Sequence, residues 1–146
     1  MKTNLDSIFK LDDKAIEDGI DFFLGDIVFK IRYFNPRSHR VKAAMAKYYK
    51  PHARQVELGT LPAEKEREIQ INLFLDICLV KWDGLVDDKM APIPYSRENA
   101  LKVFDRLPEL FDTLWRYAND FSSFKEQEVG NSSHATSSGP GSGEKN

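Results

Sequence analysis

Apolar and polar positions first alternate regularly at residues 19–33, GIDFFLGDIVFKIRY. Two β-prone runs, Ile20–Leu24 and Ile27–Tyr33, flank Gly25-Asp26. A two-residue link in which glycine supplies a positive φ is the signature of a β-hairpin. In the second run Ile27, Phe29, Ile31 and Tyr33 alternate with Val28, Lys30 and Arg32, which predicts one buried and one wetter face. Asn35-Pro36 breaks the strand. From Ser38 the spacing becomes helical: Val41, Ala44, Met45 and Tyr48 recur at i, i+3, i+4 and i+7, with most bases opposite. Pro51 is expected to end that helix, and residues 51–61 read as a connection. Residues 1–18 carry no clear period and suit an arm or a short helix.

Pro62 suits a first helical turn, and Glu64, Glu66 and Glu68 favour its positive end. This helix is expected to run to about Trp82 and stop at Asp83-Gly84. Ten of the fourteen residues from Ile69 to Trp82 are apolar, so the segment needs burial on more than one face. A chain this small is expected to have difficulty supplying that burial alone, leaving apolar surface for a partner. Residues 83–95, DGLVDDKMAPIPY, read as a loop or loose hairpin. Ser96 is a good N-cap for a helix to about Leu107, and Pro108 can open another. Leu110, Phe111, Leu114, Trp115, Ala118 and Phe121 give that last helix its stripe. Residues 128–146 hold Gly, Ser and Pro and no aromatic residue, the composition of a disordered tail or linker. The expected fold class is α+β, mainly α, with the N-terminal β-hairpin packed on about four helices. Residues 1–127 form the helical domain and 128–146 the tail.

Charge adds a pattern that the total conceals. The net charge is −2, but residues 27–54 hold eight bases and no acid. Acid-rich stretches lie on either side. A basic block carrying Tyr33, Tyr48 and Tyr49 is the footprint of a nucleic-acid surface. It also suits a solvated helix face, or head-to-tail contact with acidic blocks on neighbouring copies. The acidic pI of about 5.9 and the lack of a known nucleic-acid motif disfavour the first. Arg37, Arg40 and Lys47 are the candidate residues for charged or self-assembly contacts.

Catalytic chemistry finds no foothold. Asp83, Asp87 and Asp88 lack the alternating oxygen ligands of a calcium loop. His39, His52 and His134 form no zinc-ligand pair. The single cysteine, Cys78, sits in an apolar run with no neighbouring histidine to activate it. No phosphate-cradling glycine loop or nucleophile elbow occurs, so the chain is read as a non-enzyme with no cofactor. One cysteine and no leader-like N-terminus fit the cytoplasm. The longest apolar stretch falls short of the ~20 residues that span a bilayer.

Over about residues 20–125 the chain resembles the tail assembly chaperones of long-tailed, non-contractile bacteriophages. The resemblance lies in FFLGDIVFKIRYFNP, in the helix ending LVKWDG, and most specifically in the span from Trp82 to Asn99, WDGLVDDKMAPIPYSREN. Met90-Ala91 departs from the glycine-containing turn expected there. The resemblance implies a protein of the host bacterial cytoplasm, absent from the mature virion, that coats and solubilises the tape measure protein and self-associates, as in an open spiral. It further implies a longer form, made by a minus-one ribosomal frameshift, that recruits major tail tube protein. Glu144-Lys145-Asn146 admits the codons GAA-AAA-AAY, which contain a slippery heptamer. Phe74, Ile77, Cys78, Trp82, Phe111 and Trp115 are then expected to face the core or the partner. The alternative is a small nucleic-acid-associated or regulatory protein of mobile DNA.

Overall fold

The computed structural model describes residues 4–125. The sequence features placed at residues 128–146, including His134 and the frameshift codons, lie outside them. The hairpin forms as expected: β1 (Ile20–Leu24) pairs antiparallel with β2 (Ile27–Ile31), with Leu24 opposite Ile27. Gly25 takes φ +59° at the first turn position, where hairpin turns favour glycine. One face of the pair turns inward with Phe29 and Ile31 fully buried. The other carries Asp21, Phe23 and Lys30, and the Lys30 Nζ lies 3.2 Å from the Asp21 carboxylate.

Three helices or helical turns follow. Ser38 Oγ accepts the Arg40 and Val41 amide N–H groups and so caps the helix His39–Tyr49. We number the helices in chain order, α1 (Leu5–Phe9), α2 (Asp13–Asp18) and α3 (His39–Tyr49). Pro51 bends the helix without ending helical structure. The chain tightens into a 3-10 turn at Lys50–His52 and resumes as α4 (Ala53–Leu58). Pro51 sits in the first turn of the new segment, where its missing N–H costs nothing. Gly59, at φ +70°, closes α4. The expected connection at 51–61 is therefore partly helical.

The main departure from expectation lies at residues 63–83. α5 (Ala63–Leu73) leads into a wider π-helical turn at Phe74–Cys78, and the chain then extends as β3 (Leu79–Asp83). β3 pairs antiparallel with β2, giving the sheet order β1-β2-β3. The run does not stay helical to Trp82. A short apolar run is ambiguous between helix and strand, and here the free edge of β2 decides the outcome by offering hydrogen bonds. The Arg32 amide extends that ladder by donating to Cys78 O at 2.8 Å.

Residues 84–95 form the loose hairpin, with Val86 bridged to Pro92. Asp87 Oδ1 accepts the amides of Lys89 and Ala91, shaping the turn as an aspartate does. Met90 sits at φ +66°, the left-handed position where a glycine was expected. Ser96 caps α6 (Arg97–Arg106) through the Asn99 amide, and Pro108 opens α7 (Pro108–Asn119). The architecture is thus α+β and mainly helical, with an N-terminal hairpin. None of the described helices is long and apolar enough to cross a membrane.

The core lies between the sheet's inner face and α3, α5, α6 and α7. Phe74 sits at its centre, with the rings of Phe104, Phe111 and Trp115 at 5.9, 5.6 and 6.2 Å. Each large side chain fully withdrawn from water there contributes roughly 1.5–3 kcal/mol. Trp82 packs edge-on against Phe29 and Tyr95, and its Nε1–H donates to Ile93 O at 2.7 Å. That bond, with the Tyr95 hydroxyl donating to Leu79 O at 3.4 Å, fastens β3 to the loop before α6.

Candidate partner-binding groove

Arg67 fixes the angle between α5 and α7. Its guanidinium donates to Asp112 Oδ1 at 3.0 Å and to Pro108 O at 2.8 Å, and lies over the Phe111 ring. Because α5 is held to the start of α7, and α6 turns back at Leu107, a gap of about 380 Å³ remains between α5 and α6. Its lining is partly apolar and partly acidic. Ile71, Leu101, Phe104 and Pro108 form the apolar part, while Glu64, Glu68 and Asp105 supply carboxylates, that of Glu68 paired with Lys65 Nζ at 3.0 Å. Leu101 is 41% exposed, and Leu107 beside Pro108 is exposed as well. Arg67 also lines the gap, but its charge is engaged with Asp112. An apolar trough with acidic flanks suits a helix that carries apolar residues on one stripe and bases beside it.

A polar cluster braces the π-helical turn below the far end of α5. Arg97 donates to Asp76 Oδ1 and to Asn72 Oδ1, both at 2.6 Å. Tyr48 donates its hydroxyl to the other Asp76 oxygen, and Arg40 donates to the Asp76 backbone carbonyl at 3.0 Å. Burial works against the Asp76 charge, but the Tyr48 and Arg97 hydrogen bonds and the guanidinium's field outweigh it. They hold the carboxyl below its ordinary pKa. Nearby, Tyr49 donates to the Glu66 carboxylate, and burial first, then that bond, raises its phenol pKa. The Asp76 contacts tie α3 and α6 to the turn where helix becomes strand, and the Tyr49–Glu66 bond ties α3 to α5.

The residues expected to face core or partner fall mainly in the core. Phe74, Ile77, Cys78, Trp82 and Phe111 are buried. Trp115 is half-buried, stacked on Phe111 at 5.8 Å. Burial pushes the Cys78 thiol pKa well above its ordinary value, so it packs as a small apolar group. Most of the apolar run 69–82 is enclosed by α6, α7 and the sheet, while Ile71 stays half-buried and lines the gap. Of the charged candidates, Arg40 is engaged with Asp76 O, Lys47 lies over the Tyr48 ring, and Arg37 is exposed ahead of α3. The structure does not bring the three together on one ligand. Sequence reading missed the groove. Its only local signal was Leu101, an apolar residue outside the Ala100, Val103, Phe104 stripe of α6. Among the described residues no three His, Cys, Asp or Glu side chains converge as a metal site would require.

A mainly helical α+β domain with an apolar, acid-flanked groove is the class these features define. Residues 36–132 match the family model described as YdaY prophage protein, and the chain belongs to that family. It is therefore a phage-associated protein. No curated protein and no solved structure matches the chain.

Proposed function

We propose that this prophage protein is a non-enzymatic tail assembly chaperone that holds amphipathic helices of the tape measure protein in the α5–α6 groove. One observation carries the reading: the groove is lined by exposed Leu101 with Ile71, Phe104 and Pro108, and by the carboxylates of Glu64, Glu68 and Asp105. Membership of a prophage family and the motif from Trp82 to Asn99 support the choice of a tail protein as occupant. In this reading the protein works in the host cytoplasm. A frameshifted longer form adds a domain that recruits tail tube protein. No bond is made or broken. The chaperone lowers the free energy of a greasy helix by removing its apolar stripe from water.

Co-expression with a tape measure fragment that is insoluble alone tests this. The wild-type chain should keep the fragment in solution, and Leu101→Glu, which adds a charge to the trough, should let it precipitate. A folded L101E protein that solubilises the fragment as well as wild type would remove the groove from the account. Precipitation with the wild-type chain would end the chaperone reading.

A further inference from the structure

Away from the α5–α6 groove, a cavity of about 270 Å³ lies where the end of α2, the residues after β2 and the start of α3 come together. Its polar lining is Glu17, Arg32, Asn35, Ser38 and Arg40. The two arginines are each aimed by a main-chain carbonyl. Arg32 Nε donates to Glu17 O at 2.7 Å, and Arg40 Nη2 donates to Asp76 O at 3.0 Å. A carbonyl orients a guanidinium but leaves its charge uncompensated. Neither arginine forms an ion pair among the described residues. Arg32 is half-buried, so it has given up part of its water without gaining a counterion.

The other polar side chains add donors. Asn35 uses its Oδ1 to accept the Arg37 amide at 3.0 Å, which leaves the Nδ2 hydrogens to donate. Ser38 Oγ accepts the Arg40 and Val41 amides, which leaves its hydroxyl hydrogen. Those two α3 amides are thereby occupied, so the donors on offer are side chains and not the helix end. The two guanidiniums also act on a common point. Burial raises the Cys78 thiol pKa, and Arg32 and Arg40 both pull against it. Val41 and Ile77, both buried, give the cavity apolar wall, against which a charge interaction is stronger than in open water. Glu17 is the single acid in the lining, and its side chain is exposed.

We propose that this cavity is a phosphate site, in which the Arg32 and Arg40 guanidiniums, the Asn35 amide and the Ser38 hydroxyl donate to the oxygens of one phosphoryl group. A carboxylate offers two oxygens, whereas a phosphoryl group offers three strong acceptors and up to two charges. Donors from four side chains, two of them cationic, match the second better. Free phosphate and the phosphate of a nucleotide or nucleic acid share this chemistry. The bound group would supply the counterion that the fold withholds from Arg32. The site makes no use of the α5–α6 groove and stands independently of the reading given to it.

Titration of the full chain with inorganic phosphate at neutral pH and low salt, followed by the arginine Nε–H signals in NMR, tests the site. The Arg32 and Arg40 signals should move together and saturate. Arg40→Gln changes an exposed side chain and should melt near wild type. It should nevertheless bind phosphate at least ~10-fold more weakly, a loss of about 1.4 kcal/mol. Arg32→Gln should weaken binding likewise. Glu17→Gln removes the acid from the lining and should tighten it. Arg54→Gln, an exposed base outside the cavity, should leave it unchanged. Phosphate should raise the wild-type Tm by more than that of R40Q, in which only the general salt effect remains. A nucleoside monophosphate and a single-stranded DNA oligonucleotide, titrated in the same way, identify the source by which of the three binds tightest. Shifts that never saturate would overturn the proposal, as would a loss in R54Q equal to that in R40Q. So would acetate binding as tightly as phosphate. Tape measure solubilisation is read separately through L101E, so either proposal can fail without the other.

Discussion

Residues 69–82 and residues 5–9 are both rich in large apolar side chains, yet one segment is closed and the other open. The longer run changes from helix to strand midway and meets the sheet on one side and α6–α7 on the other. Most of its apolar surface is buried in the fold itself, Ile71 at the groove excepted. The arm has a helical stripe of the same chemistry that stays largely exposed among the described residues, with Phe9 against the Phe121 ring. Apolar content alone therefore does not locate a binding surface. What locates one is apolar content that the topology leaves without a neighbour.

Substitution at the closed segment should have the largest effect. Phe74→Ala removes the ring at the centre of the aromatic cluster and should cost ~3–5 kcal/mol, read as a lower urea midpoint at unchanged slope. Phe9→Ala, the same change in the arm, should move the midpoint by less than ~1 kcal/mol, because most of that ring is already in water. Equal losses at the two sites would erase the contrast between them.

A smaller effect is expected where the polar cluster braces the turn. Arg97→Ala should cost about 1 kcal/mol at neutral pH, since both partners are partly exposed and solvent screens the pair. The pH dependence has a definite sign. Asp76 has its carboxyl pKa lowered in the folded state. Its contribution is thus present above the ordinary carboxylate range and is lost as pH falls through the folded value. Unfolding curves taken from neutral to acidic pH should show the wild type losing stability more steeply than R97A, with the two converging in acid. Parallel curves would mean that the pair does not hold the turn.

The smallest effect should come from Leu5→Ser alone. It should leave thermal stability within about 0.5 kcal/mol of wild type. A marked destabilisation would mean that the arm belongs to the core and is not an open surface.

Local chemistry made much of the fold legible in advance. Gly25-Asp26 specifies the hairpin, helical spacing begins at Ser38, Ser96 caps α6, and Pro108 opens α7. Each of these depends on residues within a few positions of one another. The same logic misplaced the effect of Pro51, because a proline that halts one helix can equally begin the next turn. The groove was invisible for a different reason. Glu64 and Asp105 are far apart in sequence, and only the fold, which sets α5 and α6 on either side of one gap, brings them to one trough.

By itself, the sequence determined the hairpin, the caps, the basic block and the mainly helical character, since those follow from backbone preference and short-range spacing. Tertiary structure alone decided that Leu79–Asp83 is a strand and that the apolar run is enclosed. The reason is that β2 presents an unpaired edge and an apolar face to that segment. Hydrogen bonds and burial from a distant part of the chain outweigh the local tendency to continue a helix.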